Sequence, residues 1–144
     1  MNLKLIGFLT LGAMALPLAA HHSFDAEYDR NKQRDFEGTV TKVEWMNPHA
    51  RFYLDVKEPD GKIVNWEFEL GSPNGLMRSG WKRDSLKKGD FVKLQGNLAK
   101  DGSHLANARN ITLADGRRVL AGSSADGQPV APGPNDGKGK GGKQ

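Results

Sequence analysis

The feature that most constrains this chain is strict alternation on both sides of a single turn. Phe52, Leu54 and Val56 alternate with Tyr53 and Asp55, and after Glu58-Pro59-Asp60-Gly61 the residues Val64, Trp66, Phe68 and Leu70 alternate with Asn65, Glu67 and Glu69. A period of two sends successive side chains to opposite faces of a strand, and Asp-Gly favours a tight hairpin. The pattern predicts a hairpin with one apolar face; Glu67 and Glu69, on the other face, read as a solvated surface rather than an acid–base pair. Upstream, Phe36, Gly38 and Val40 share one parity and Val43 and Trp45 the other. That switch predicts a β-bulge near Thr41-Lys42, which bends a strand strongly.

Further along, Ser72 before Pro73 is a helix start, so one short helix is expected there. Leu86-Lys87-Lys88-Gly89-Asp90 turns into a strand beginning at Phe91, residues 107–113 form another, and Asp115-Gly116 turns a short hairpin towards Val119-Leu120. The expected fold is all-β: a small OB-like barrel of five antiparallel strands with a short helix between the third and fourth. A small open antiparallel sandwich is the alternative, but closing the sheet removes its exposed edges.

The ends differ from this middle. Residues 1–20 carry Lys4, an apolar run and Ala19-Ala20, the pattern of a cleaved secretory signal and too short for a membrane span. Cleavage after Ala20 makes His21 the first mature residue. Residues 21–34 form a polar arm with Phe24 and Tyr28 as its large apolar groups, residues 35–122 hold the domain, and residues 123–144 form a disordered Gly/Pro/Lys-rich tail. The net charge of +4 partly belongs to the signal and tail, so the domain is near balance and no basic stripe points to nucleic acid. The chain has no cysteine, which excludes disulfides, thiolate chemistry and iron–sulfur clusters.

Several stretches together resemble an uncharacterised bacterial family, domain of unknown function 6152. They are His21-His22-Ser23-Phe24, Gly38-Thr39-Val40 with Glu44-Trp45, Asn47-Pro48-His49, Leu70-Gly71-Ser72-Pro73-Asn74, Trp81, Leu86-Lys87-Lys88-Gly89-Asp90 and Asn107-Ala108-Arg109. The resemblance spans most of residues 21–121. It implies a small exported bacterial protein of the periplasm and carries no established activity.

The four histidines are His21, His22, His49 and His104. A histidine at a free N-terminus offers an amine and an imidazole to one metal ion. His49 follows Asn47-Pro48, where proline stiffens a corner, and His104 lies in the turn before the last barrel strand. In an OB-like barrel these two loops share an end, so the four histidines are expected to converge on a transition metal. Three nitrogens suit copper, the ion at the affinity maximum; zinc would take Asp25 or Glu27 as a fourth ligand. The amine titrates near ~8 and imidazole near ~6.5, so binding should weaken in acid. Each histidine alone also has a structural reading, as a solvated terminus, a hydrogen-bonded corner or a turn residue; it is their combination that points to metal.

The sequence therefore reads as a non-enzymatic periplasmic binding protein, a metal carrier or accessory factor. The alternative is a periplasmic adaptor that binds a peptide, glycan or partner protein through outer aromatics, Trp45, Tyr53 and Trp81. An N-terminal-histidine copper oxidase has the least support. Ser72 and Ser85 lack the glycines of a nucleophile elbow, and Gly71-Ser72-Pro73-Asn74-Gly75 lacks the lysine of a phosphate loop.

Overall fold

The structure is a computed structural model, and it describes residues 24–121. The expected signal at 1–20, His21 and His22, and the tail at 123–144 lie outside the described residues.

Six strands form one sheet: β1 (Tyr28–Glu44), β2 (Arg51–Lys57), β3 (Ile63–Glu69), β4 (Phe91–Ala99), β5 (Leu105–Thr112) and β6 (Arg118–Leu120). Their order is β3-β2-β1-β4-β5-β6, and a further β3–β5 pairing closes the sheet into a barrel. All ladders are antiparallel except that closing one, which is parallel. This is an OB-like all-β barrel. The five expected strands are joined by the short β6, formed by the hairpin beyond Asp115-Gly116.

The β2–β3 hairpin pairs Phe52 with Phe68 and Leu54 with Trp66. The bulge falls at Thr41, where the β1–β2 register steps from Val40 opposite Leu54 to Lys42 opposite Tyr53. Bending lets β1 pair with β4 along its first part, from Tyr28 to Thr39, and with β2 from Gly38 to Glu44. Gly38 makes the crossing feasible, since a Cβ there would meet the Asp55 carbonyl oxygen at 2.3 Å.

Inside, Phe36 meets Trp66 at 4.8 Å and Phe68 edge-on at 4.9 Å between ring centroids. Helix α1 (Pro73–Arg78) starts as its sequence predicts, with Ser72 Oγ accepting from Gly75 N at 3.2 Å. Its Leu76, with Trp81 and Leu86, joins the main core.

The first strand begins at Tyr28, ahead of residue 35. Residues 24–27 form a helical turn before it. Phe24 and Tyr28 pack with Ala99 and Leu105 as a second apolar cluster, apart from the main core. Part of the expected arm is thus an element of the fold, because its two large apolar residues have a place to bury.

Candidate functional site

Strand β3 carries the site on the face away from the main core. Phe68 points inward, so Glu69 points outward. Across the ladders Glu69 stands opposite Arg51 on β2 and Asn107 on β5. Asn107 stands opposite Asn97 on β4, and Asn97 opposite Gln33 on β1. Residues directly opposite share a face, so these side chains form one polar row across the outside of the barrel.

An outer face of a small barrel is ordinarily solvated, yet Glu69 is only 6% exposed, and Asn97 and Asn107 are fully buried. The expectation that Glu69 belongs to a solvated face is corrected. The cover comes from the start of β1 and the turn before it. Tyr28 pairs with Ala99, two residues along from Asn97, and its ring meets Phe24 at 5.4 Å. Its hydroxyl is directed at Glu69 without reaching ordinary hydrogen-bond geometry. Burial, then the Glu69 and Glu27 carboxylates, push the phenol far above its usual range, so Tyr28 keeps its proton. The Glu27 carboxyl is also raised, by desolvation first and then by Glu69, with Arg51 opposing.

His49 leads into this row from the β1–β2 corner, after a cis Asn47–Pro48 bond. Its Nδ1 lies 3.3 Å from Glu69 Oε1, and the ring is about one-third exposed. Arg51 Nη2 is 3.6 Å from Glu69 Oε2, and its Nη1 pairs with Glu67. The Tyr28 hydroxyl and both side-chain polar atoms of Asn97 and of Asn107 are buried without a hydrogen-bond partner. Each such group costs about 1–3 kcal/mol, so the row holds unspent hydrogen-bonding capacity behind Glu69.

His104 does not join it. Its ring packs on Trp66 at 5.0 Å between centroids, and its carbonyl accepts from Glu67 N at 2.9 Å. Trp66 faces the core and lies three residues from Glu69, which is roughly 10 Å along a strand. The structure sets His49 beside Glu69 and His104 beside Trp66: parallel β3–β5 pairing registers Leu105 with Glu67 and Asn107 with Glu69, so the two histidines neighbour β3 residues three positions apart. Among the described residues no three His, Asp or Glu side chains gather as a metal site.

The aromatic alternative changes too. Trp81 is not an outer aromatic: it is 3% exposed, and its Nε1 donates to the Leu120 carbonyl at 2.9 Å. It packs near the half-buried Trp45, at 6.4 Å between centroids. Tyr53 donates to Glu44 Oε2 at 3.1 Å and lies under Lys42 Nζ at 5.1 Å. Burial and the Glu44 hydrogen bond raise its phenol pKa. The three rings therefore do not form a shared stacking platform.

Sequence reasoning missed Glu69, Arg51, Tyr28, Asn97 and Asn107. The available signal was the pair Phe24 and Tyr28, two large apolar residues in a polar segment.

A model of a family of unknown function (DUF6152) matches residues 10–108. No curated protein matches the chain. Among solved structures, the mitochondrial single-stranded DNA-binding protein Rim1 of S. cerevisiae aligns with a TM-score of 0.44 and 11% identity, covering 57% of this chain and 92% of that one.

Proposed function

The chain belongs to that family of unknown function, and we propose that it is an exported, periplasmic, non-enzymatic protein that holds a transition metal, copper first. The ligands are the amine and imidazole of a mature N-terminal His21, with His22, and the Nε2 of His49. His104, packed on Trp66, is not part of the set. The protein acts as a carrier or accessory factor. Among the described residues no helix is long and apolar enough to cross a membrane.

One observation carries this reading: His49 Nδ1 faces the nearly buried Glu69 carboxylate at 3.3 Å. Metal-binding histidines commonly give their second nitrogen to a carboxylate, which fixes the tautomer and leaves the other nitrogen for the metal. Here Glu69 is held in turn by Arg51. Chain proximity also supports the reading: with cleavage after Ala20, the mature terminus would lie three residues before Phe24, which packs on Tyr28.

The test is copper(II) titration of the naturally processed chain with spin-resonance detection. A single tight site with nitrogen couplings is expected, weakened by His49→Ala and by one residue added before His21. Loose binding that ignores both changes would refute the reading.

A further inference from the structure

The β4–β5 ladder steps in register where Gln95 stands opposite Asn110 but Gly96 opposite Ala108. Beyond that step the barrel has a second outer face. Its residues alternate with the core residues Phe36, Leu94 and Ile111, so they point to solvent. The ladders set them in two rows. Asp35 stands opposite Gln95, and Gln95 opposite Asn110. Glu37 stands opposite Lys93, Lys93 opposite Thr112, and Thr112 opposite Arg118. Neighbouring strands lie about 4.8 Å apart, so the longer row spans about 14 Å. Residues of both rows line one groove of about 510 Å³, within the range of ~300–1,000 Å³ typical of small-molecule sites.

From this arrangement we infer that the groove across β1, β4, β5 and β6 binds a neutral, hydroxyl-rich oligosaccharide. The site is separate from the Glu69 row and does not depend on the metal reading.

A hydroxyl group both donates and accepts, so a site for several of them needs both kinds of partner. The groove supplies acceptors in the Asp35 and Glu37 carboxylates, donors in Lys93 and Arg118, and both in Gln95, Asn110 and Thr112. On the β1 side these groups hold one another in place. Lys93 Nζ lies 2.9 Å from Glu37 Oε2, and Gln95 Nε2 donates to Asp35 Oδ1 at 3.4 Å. On the β5–β6 side, Asn110, Thr112 and Arg118 make no side-chain hydrogen bond or ion pair with other described residues, so their capacity is open to a ligand.

The same groups argue against other occupants. Two carboxylates and two cations leave the groove without net charge, whereas nucleic-acid sites are basic. The centres of protein interfaces are depleted of Lys, Asp and Glu, which here make up much of the lining. Phe91 is 50% exposed and lies on the same face of β4, two residues from Lys93. One exposed ring is ordinary by itself; beside a groove of planar amides and carboxylates it offers a surface on which the C–H face of a sugar can stack.

The test is an NMR titration of the full chain with cellotetraose and with chitotetraose at millimolar concentration. With at least one of them, saturable shifts are expected at the side-chain amides of Gln95 and Asn110 and at the backbone amides of Lys93 and Thr112, and none at Glu69 or His49. Asn110→Ala, Arg118→Ala and Phe91→Ala change groups outside the core, so the barrel should survive them, and each should weaken binding about tenfold. Phe91→Trp should retain it. Absence of saturable shifts with both saccharides would overturn the proposal, as would wild-type affinity in all three alanine variants. Tighter binding of a single-stranded oligonucleotide or an acidic peptide at the same residues would overturn the ligand class.

Discussion

Around Trp66, midway along β3, the polar groups are matched, whereas at the Glu69 end several are not. Glu58 accepts from Arg34 Nη2 at 2.7 Å and from Trp66 Nε1 at 2.8 Å. The Arg34 guanidinium lies against Phe36 and Trp66, 4.7 and 5.2 Å from their centroids, and His104 packs on Trp66. At the other end Tyr28, Asn97 and Asn107 carry buried polar atoms without partners, beside a histidine backed by a carboxylate. A network whose donors and acceptors are already matched has little left to offer a ligand. Uncompensated buried groups persist only where the surrounding fold enforces them, and such a place is where function is sought. The two histidines that the sequence treated alike thus differ by their neighbours.

The sharpest test of that contrast is Trp66→Ala. It removes the ring that joins the matched network to the core and should cost about 3–5 kcal/mol in chemical denaturation. A loss below 1 kcal/mol would show that the matched end is not structural. At the unmatched end the sign should reverse. Asn97→Leu or Asn107→Leu replaces an unsatisfied amide with an apolar group and should raise stability by about 1–2 kcal/mol. Destabilisation would mean that the amides find partners in solution.

Glu58→Gln should cost about 1 kcal/mol at neutral pH. Its pH dependence carries a definite sign. The Arg34 hydrogen bond, aided by that of Trp66, lowers the Glu58 pKa in the folded state. Its contribution is therefore complete above the unfolded carboxyl pKa of about 4.3 and is lost as pH falls through the lower folded value. Wild type and Glu58→Gln should converge in stability below that range; curves that stay parallel through it would break the assignment. The smallest effect belongs to His104→Ala, which should change stability by no more than about 0.5 kcal/mol and leave copper affinity unaltered. A tenfold affinity loss there would return His104 to the ligand set.

Much of the barrel was legible because its signals are local. The alternation at 52–56 and 64–70, the parity switch at Thr41 and the Ser72-Pro73 helix start each depend on neighbours in sequence. The site was less legible. Glu69, Asn97 and Asn107 alternate with core residues as ordinary outer-face positions do, and nothing local distinguishes them from solvated ones. Their burial comes from Tyr28, some forty to eighty residues distant along the chain. Trp81 was misplaced for the related reason that its partner, the Leu120 carbonyl, lies at the far end of the domain.

By itself the sequence determined the strand periods, the turns, the bulge and the presence of histidines without cysteine, because backbone geometry and side-chain chemistry act over a few residues. Only the tertiary structure decided which polar residues are buried and which histidine meets a carboxylate. Those outcomes depend on the parallel β3–β5 closure and on the seating of Phe24 and Tyr28 over the outer face, and burial is a property of the surface that another part of the chain covers.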